Sequence, residues 1–219
     1  MKQKCLWVIV NGLVLTIAAS GVFAQGYGMP VIDASGQADE GYVNCAVGAN
    51  MGKDVQFYGE RVTTTIQKSL RLFLDFGAVN PEKGGTALAA QGGVLACLNV
   101  ESPVNVAVRA TLYGMPSDRM DVLGGTAMLL AGGPTIFDSL FLYSGVGLDV
   151  QRNRRHFDPQ LGTVDGSPTI VTPPDVTDEN VRLLWTGGAM ISAAKNADVF
   201  VELTVTDKPF IGLGLRLHP

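Results

Sequence analysis

Between residues 41 and 217 apolar and polar side chains alternate with a period of two, interrupted at intervals by turn-forming residues. That period places successive side chains on opposite faces of a strand. The clearest case carries Val104, Val106, Val108, Ala110 and Leu112 on one face, and Asn105, Ala107, Arg109, Thr111 and Tyr113 on the other. Leu70–Phe76, Leu140–Val150, Val199–Thr206 and Phe210–Leu217 repeat the scheme, and weaker alternation covers Tyr42–Met51, Gly92–Val100, Met120–Ala131 and Val181–Ala193. No segment shows convincing helical periodicity. The pattern predicts an all-β fold.

The connections order these strands. Asn99–Pro103, Gly114–Asp118, Lys195–Ala197 and Thr206–Pro209 read as tight turns, rich in the Gly, Pro, Asn, Asp and Ser that reverse a chain. Two linkers are long, Ala78–Ala89 and Arg152–Glu179, the second with four prolines and no strand pattern. Nine strands can be counted directly. A tenth is assigned to Val55–Gly59, turning at Glu60–Arg61, because closed bacterial barrels use even numbers. With ten strands both long linkers fall at one end and the short turns at Glu101–Ser102 and Lys195–Asn196 at the other. Eight strands would put the longest loop among the short turns.

Alternation alone fits two architectures, a closed antiparallel up-and-down barrel of about 8–10 strands or a soluble β-sandwich. A membrane barrel turns its apolar face to lipid and its polar face inward; a sandwich inverts this. Gly145, Gly147, Gly212 and Gly214 lie on the polar face, where glycine suits a crowded interior and only weakens a solvent face. The same face carries Arg71, Asp75, Arg109, Asp149, Arg182, Glu202 and Arg216, opposite charges able to pair across a lumen. The chain also closes on an apolar-alternating strand, Ile211–Leu217. On these features residues Gly41–Leu217 resemble the broad class of small, porin-like bacterial outer-membrane β-barrels. The resemblance implies a location in the outer membrane, contact with its lipid and with lipopolysaccharide, and a structural or weakly porin-like role. The sequence departs from the class in ending Leu217-His218-Pro219 instead of on an aromatic residue, and in an aromatic content of only 7%. The other expectation is a periplasmic or secreted β-sheet binding module.

The amino terminus agrees with export. Lys2 and Lys4 precede an apolar run from Leu6 to Ala19, and Val22-Phe23-Ala24 ends in the small residue that a signal peptidase reads. The run is shorter than the roughly 20 residues of a membrane helix. Residues 1–24 are therefore expected to be a signal peptide, 25–40 a flexible lead-in, and 41–219 the barrel domain with its long loop at 152–179. Of 16 Lys and Arg, removal of Lys2 and Lys4 leaves 14 against 20 Asp and Glu, a net charge of -6. An acidic surface lacks the basic footprint of a nucleic-acid-binding protein.

Little catalytic chemistry is visible. His156 and His218 are the two histidines, and neither has a serine beside it, so a hydrolase resting on His156 is a minor reading. The Gly-Gly pairs are followed by neither a helix pattern nor a GK[ST] sequence, which removes nucleotide loops. Cys45 and Cys97 offer no metal-ligand spacing, and no cofactor is expected. They sit on opposite alternation phases, so both are expected to stay free. The sharpest feature is the run Arg152, Arg154 and Arg155. Arginine's planar fork suits phosphate, making these the candidate anion or lipopolysaccharide contact, with pairing to Asp158, Asp175, Asp178 and Glu179 as the plainer expectation.

Overall fold

The computed structural model describes residues 28–31, 41–53, 55–81, 85–98, 104–118, 120–135, 139–157, 160–164, 167–171 and 173–217. The expected signal peptide, residues 1–24, lies outside them. Ten strands close on themselves: β1 (Val43–Gly52), β2 (Val55–Gln67), β3 (Leu70–Pro81), β4 (Ala87–Cys97), β5 (Asn105–Met115), β6 (Met120–Pro134), β7 (Leu140–Arg155), β10 (Val176–Ala194), β11 (Ala197–Val205) and β12 (Pro209–Leu217). Each pairs antiparallel with its neighbours, and β1 seals the ring against β12 through Cys45↔Leu217 to Gly52↔Phe210. A separate hairpin, β8 (Gln160–Val164) and β9 (Ser167–Val171), interrupts the connection from β7 to β10.

The polarity of the two faces decides between the two expected architectures. Alternate residues of β10 and β7 that point outward are apolar and open, Leu183 being 80% exposed. Arg61, Asp75, Arg109 and Asp149 point inward and are at most 1% exposed. A sandwich buries its apolar face, so that alternative is overturned, as is the eight-strand count.

Three boundaries differ from the sequence reading. Glu60–Arg61 is no turn; β2 runs straight through it, with Arg61 inside and Glu60 outside. A charged pair imitates a turn only if strands are assumed to have apolar cores, and here the core is charged. The turn falls instead at Lys68–Ser69. The linker at 78–89 is shorter than expected, because β3 continues to Pro81 and β4 begins at Ala87. Within Arg152–Glu179 the register continues from Val150↔Val181 up to Arg155↔Val176, so β7 and β10 extend together past the apolar stretch. Strands β8 and β9 pair antiparallel, with Gln160 opposite Val171 and Val164 opposite Ser167. The turns at Lys195–Asn196 and 206–208 fall where expected, and the Asn99–Pro103 turn lies outside the described residues.

The lumen is filled. Phe57, Tyr113, Met115 and Phe200 pack in one interior cluster, and Leu95, Met128, Leu130, Tyr143 and Leu184 in another. The interior glycines make this possible. A Cβ on Gly214 would collide with the Phe200 ring and the Val47 carbonyl, and one on Gly212 with the Pro30 ring. Cys45 faces outward and Cys97 inward, both free, as their opposite phases require. Among the described residues no helix is long and apolar enough to cross a membrane, which says nothing of crossing by strands.

Candidate functional site

Two places concentrate polar side chains: the lumen and the rim formed by the ends of β6, β7 and β10.

In the lumen, the antiparallel pairing of β2 and β3 puts Arg61 directly opposite Asp75. Both side chains point inward, and the guanidinium grips the carboxylate at two points, Nε to Oδ1 at 2.6 Å and Nη2 to Oδ2 at 2.8 Å. Such bidentate charge-assisted bonds are the strong class. Gln91 Nε2 donates to the same Oδ2 at 3.0 Å. Arg61 and Arg109 both lie over the Phe73 ring, 4.7 and 4.5 Å from its centroid. Elsewhere in the lumen Tyr143 of β7 donates to Glu202 of β11 at 2.6 Å, and Thr204 to the other oxygen of that carboxylate at 2.9 Å. Tyr113 of β5 donates to Asp149 of β7 at 2.8 Å. Near the end of β12, Arg216 pairs with Asp198 at 2.6 Å. Buried charges need partners and hydrogen bonds, and the alternation supplies them from strands that face the same lumen, adjacent or one strand apart.

The lead-in enters this network. Met29 and Val31 are fully buried inside the barrel, with Gly28 and Pro30 also buried. Met29 N donates to Asp75 at 3.0 Å, and Val31 N to Glu202 at 2.7 Å. Of the lead-in expected at 25–40, the four described residues thus lie inside the barrel. The one signal available in the sequence is an apolar Met-Pro-Val in an otherwise Gly, Ser and Asp-rich stretch.

At the rim the three arginines each meet an acid on β10 or just before it. Arg152 lies 3.8 Å from Glu179, Arg154 2.8 Å from Asp175, and Arg155 3.5 Å from Asp178. These pairs are exposed, and contacts of that kind contribute roughly 0–1 kcal/mol each. The structure thus provides the expected acidic partners at 175, 178 and 179; Asp158 lies outside the described residues. His156 ties three elements together, its Nε2 3.0 Å from Asp121 on β6 and its Nδ1 3.3 Å from Asp175. The Asp121 carboxylate, then Asp175, hold the imidazole above its ordinary pKa, and the same bond holds Asp121 below the ordinary carboxylate value. Both ring nitrogens of His156 thus face carboxylates, and the nearby Ser117 Oγ donates to the Met120 carbonyl at 2.7 Å. His218 lies outside the described residues. No group of three His, Cys, Asp or Glu placed to hold a metal occurs among the described residues.

No protein-family model matches the chain, and no curated protein matches it in sequence. Among solved structures it is similar to the KdgM porin, at 7% identity over 80% of this chain and 98% of that one, with a TM-score of 0.42. It is also similar to Neisserial surface protein A, at 12% identity over 80% and 95% with a TM-score of 0.37, and to the N-terminal β-barrel domain of Pseudomonas aeruginosa OprF, at 11% identity over 82% and 98% with a TM-score of 0.35. What the chain is, on its own geometry, is a closed ten-stranded antiparallel up-and-down barrel with a charged, filled interior.

Proposed function

We propose that this protein is a non-enzymatic outer-membrane β-barrel with a structural role, its lumen too full to serve as a wide pore. The observation that carries the reading is the inverted polarity: arginines and aspartates buried inside, leucines and valines open outside. In water that arrangement would expose a continuous apolar belt far larger than soluble monomers tolerate. In a bilayer the belt is solvated by lipid, and closure leaves no unpaired sheet edge.

The position of Arg152 supports contact with lipid phosphate. It shares the outward phase of β7 with Val146, Leu148 and Val150, and stands one outward step above Val150. That is where an apolar belt gives way to headgroups. Arg154 continues the outward phase, and Arg155 completes the group at the strand end. With their acidic partners in place, about 60% of each arginine side chain stays exposed.

The test is fractionation of the mature protein with gel mobility read before and after boiling. Outer-membrane partition with a boiling-dependent shift is expected; recovery in the detergent-free soluble fraction without a shift would refute the reading. In planar bilayers a filled lumen gives no large conductance steps, and large steps would restore the porin-like reading. Loss of lipopolysaccharide binding in the triple Ala variant of Arg152, Arg154 and Arg155 tests the rim.

A further inference from the structure

We propose that the lumen is a binding site for an extended peptide, filled in cis by the chain's own residues 28–31. The placement of that segment's main-chain polar groups is the reason. A peptide in a dry lumen must find a partner for each N–H and each C=O. Met29 N–H goes to Asp75, Pro30 has none to place, and Val31 N–H goes to Glu202. The carbonyls of Met29 and Pro30 are taken by Arg61, through Nη2 at 3.2 Å and Nη1 at 2.7 Å, and that of Gly28 by Asn50 at 3.5 Å. Four lumen side chains thus meet five main-chain groups, donors against carbonyls and carboxylates against amides.

The walls are cut to the same shape. Gly48 on β1 and Gly212 on β12 form the floor, the first leaving room for the Met29 methyl and the second for the Pro30 ring. Met29 enters the cluster of Phe57 and Phe200, and Val31 that of Leu95 and Tyr143. Gln91, 1% exposed, keeps an unpartnered Oε1 beside Gly28, an acceptor aimed at the path of the peptide. None of residues 28–31 is needed to close the barrel, whose ladder begins at Val43.

The ligand class follows from this chemistry: an unfolded segment with two apolar residues flanking a proline, read through its main chain. Covalent linkage gives the internal copy an effective concentration on the order of millimolar. A peptide in trans therefore competes only when the internal copy is weakened. Substituting M29D/V31D drives one carboxylate into the apolar cluster of Phe57 and Phe200 and another into that of Leu95 and Tyr143, while all ten barrel strands stay unchanged.

The experiment uses the full mature chain folded in detergent micelles and a fluorescent peptide of sequence GYGMPVID, residues 26–33. Tight binding to M29D/V31D is expected, with at least about tenfold weaker binding to the wild type. N-methylation of the peptide at the Met and Val amides removes both donors and should weaken binding about tenfold or more at each position. A folded variant, shown by its heat-dependent mobility, that fails to bind overturns the proposal. So does equal binding by wild type and variant, or indifference to N-methylation, either of which means apolar adsorption outside the lumen. If the variant does not fold, M29C in a C45S/C97S background decides the matter. Protection of the introduced thiol from maleimide until boiling is expected, and labelling of the native barrel at the unfolded rate overturns the site.

Discussion

Removing the carboxylate of Asp75 should cost more than any other single truncation in the lumen. The Arg61–Asp75 pair is bidentate and its side chains are 1% and 0% exposed. Asp75→Ala strips a buried guanidinium of its bidentate carboxylate, with two carbonyls and the face of Phe73 among its remaining contacts. Breaking a buried pair on one side costs roughly 3–5 kcal/mol. Two further donors, Met29 N and Gln91 Nε2, lose their acceptor at the same stroke. The total is a large share of a typical stability of about 5–15 kcal/mol. Urea titration of the protein folded into lipid vesicles reads the loss through Trp185, the one tryptophan beyond residue 24. With a slope of about 1–3 kcal/mol per molar urea, the midpoint should fall by roughly 1–5 M. Arg61→Met should behave similarly, and the double variant R61M/D75A should cost at least about 2 kcal/mol less than the sum of the two, because no charge is left stranded. Additive losses, or an Asp75→Ala shift below about 1 kcal/mol, would show that the pair is hydrated and that the lumen is not the dry, filled core described above.

Gly214→Leu should lower the yield of heat-modifiable barrel and cost roughly 1–3 kcal/mol or more by overpacking against Phe200, whereas Leu213→Val on the outer face should be nearly neutral by the same gel assay. Leu183→Arg separates lipid from water outside the wall: vesicle unfolding should report about 2–4 kcal/mol if the site lies near the bilayer midplane, while a soluble surface would register within about 0.5 kcal/mol. The His156 clasp should depend on pH. Its folded pKa lies above the ordinary 6.5, so its contribution is complete below 6.5 and fades as pH rises through the raised value. The Asp121 pKa lies below its ordinary 3.8, so that contribution is complete above 3.8 and fades as pH falls through the lowered value. Protease sensitivity of the β7–β10 connection should therefore be lowest between 3.8 and 6.5 and rise above that window; a flat profile, or one unchanged by His156→Ala, would remove the clasp.

The strand content and the inward and outward phases were legible because period-two alternation is a local property. The identities of the interior charges Arg71, Asp75, Arg109, Asp149 and Glu202 could be read from phase alone. Arg61 could not. A Glu-Arg step has the composition of a turn, and only the partner of Arg61 across the β2–β3 ladder shows it to be core. The rim arginines were visible as a run, and so were three acids that meet them. The bridge from Asp121 through His156 to Asp175 was not, since it spans residues 121 to 175 and depends on how β6, β7 and the approach to β10 lie side by side.

Amphipathic strands, the apolar side of each, and the place of most turns all depend on residues a few positions apart, so the linear chain carries them without help from the fold. Whether the apolar side faces a core or the outside is a property of closure. The same alternation satisfies either until β1 meets β12, and that contact joins Cys45 to Leu217, near opposite ends of the barrel sequence. Closure also creates the lumen, and with it the one environment in which Met29 and Val31 find carboxylates from β3 and β11 on either side of β1. No local pattern records that meeting, because it exists only once the ring is shut.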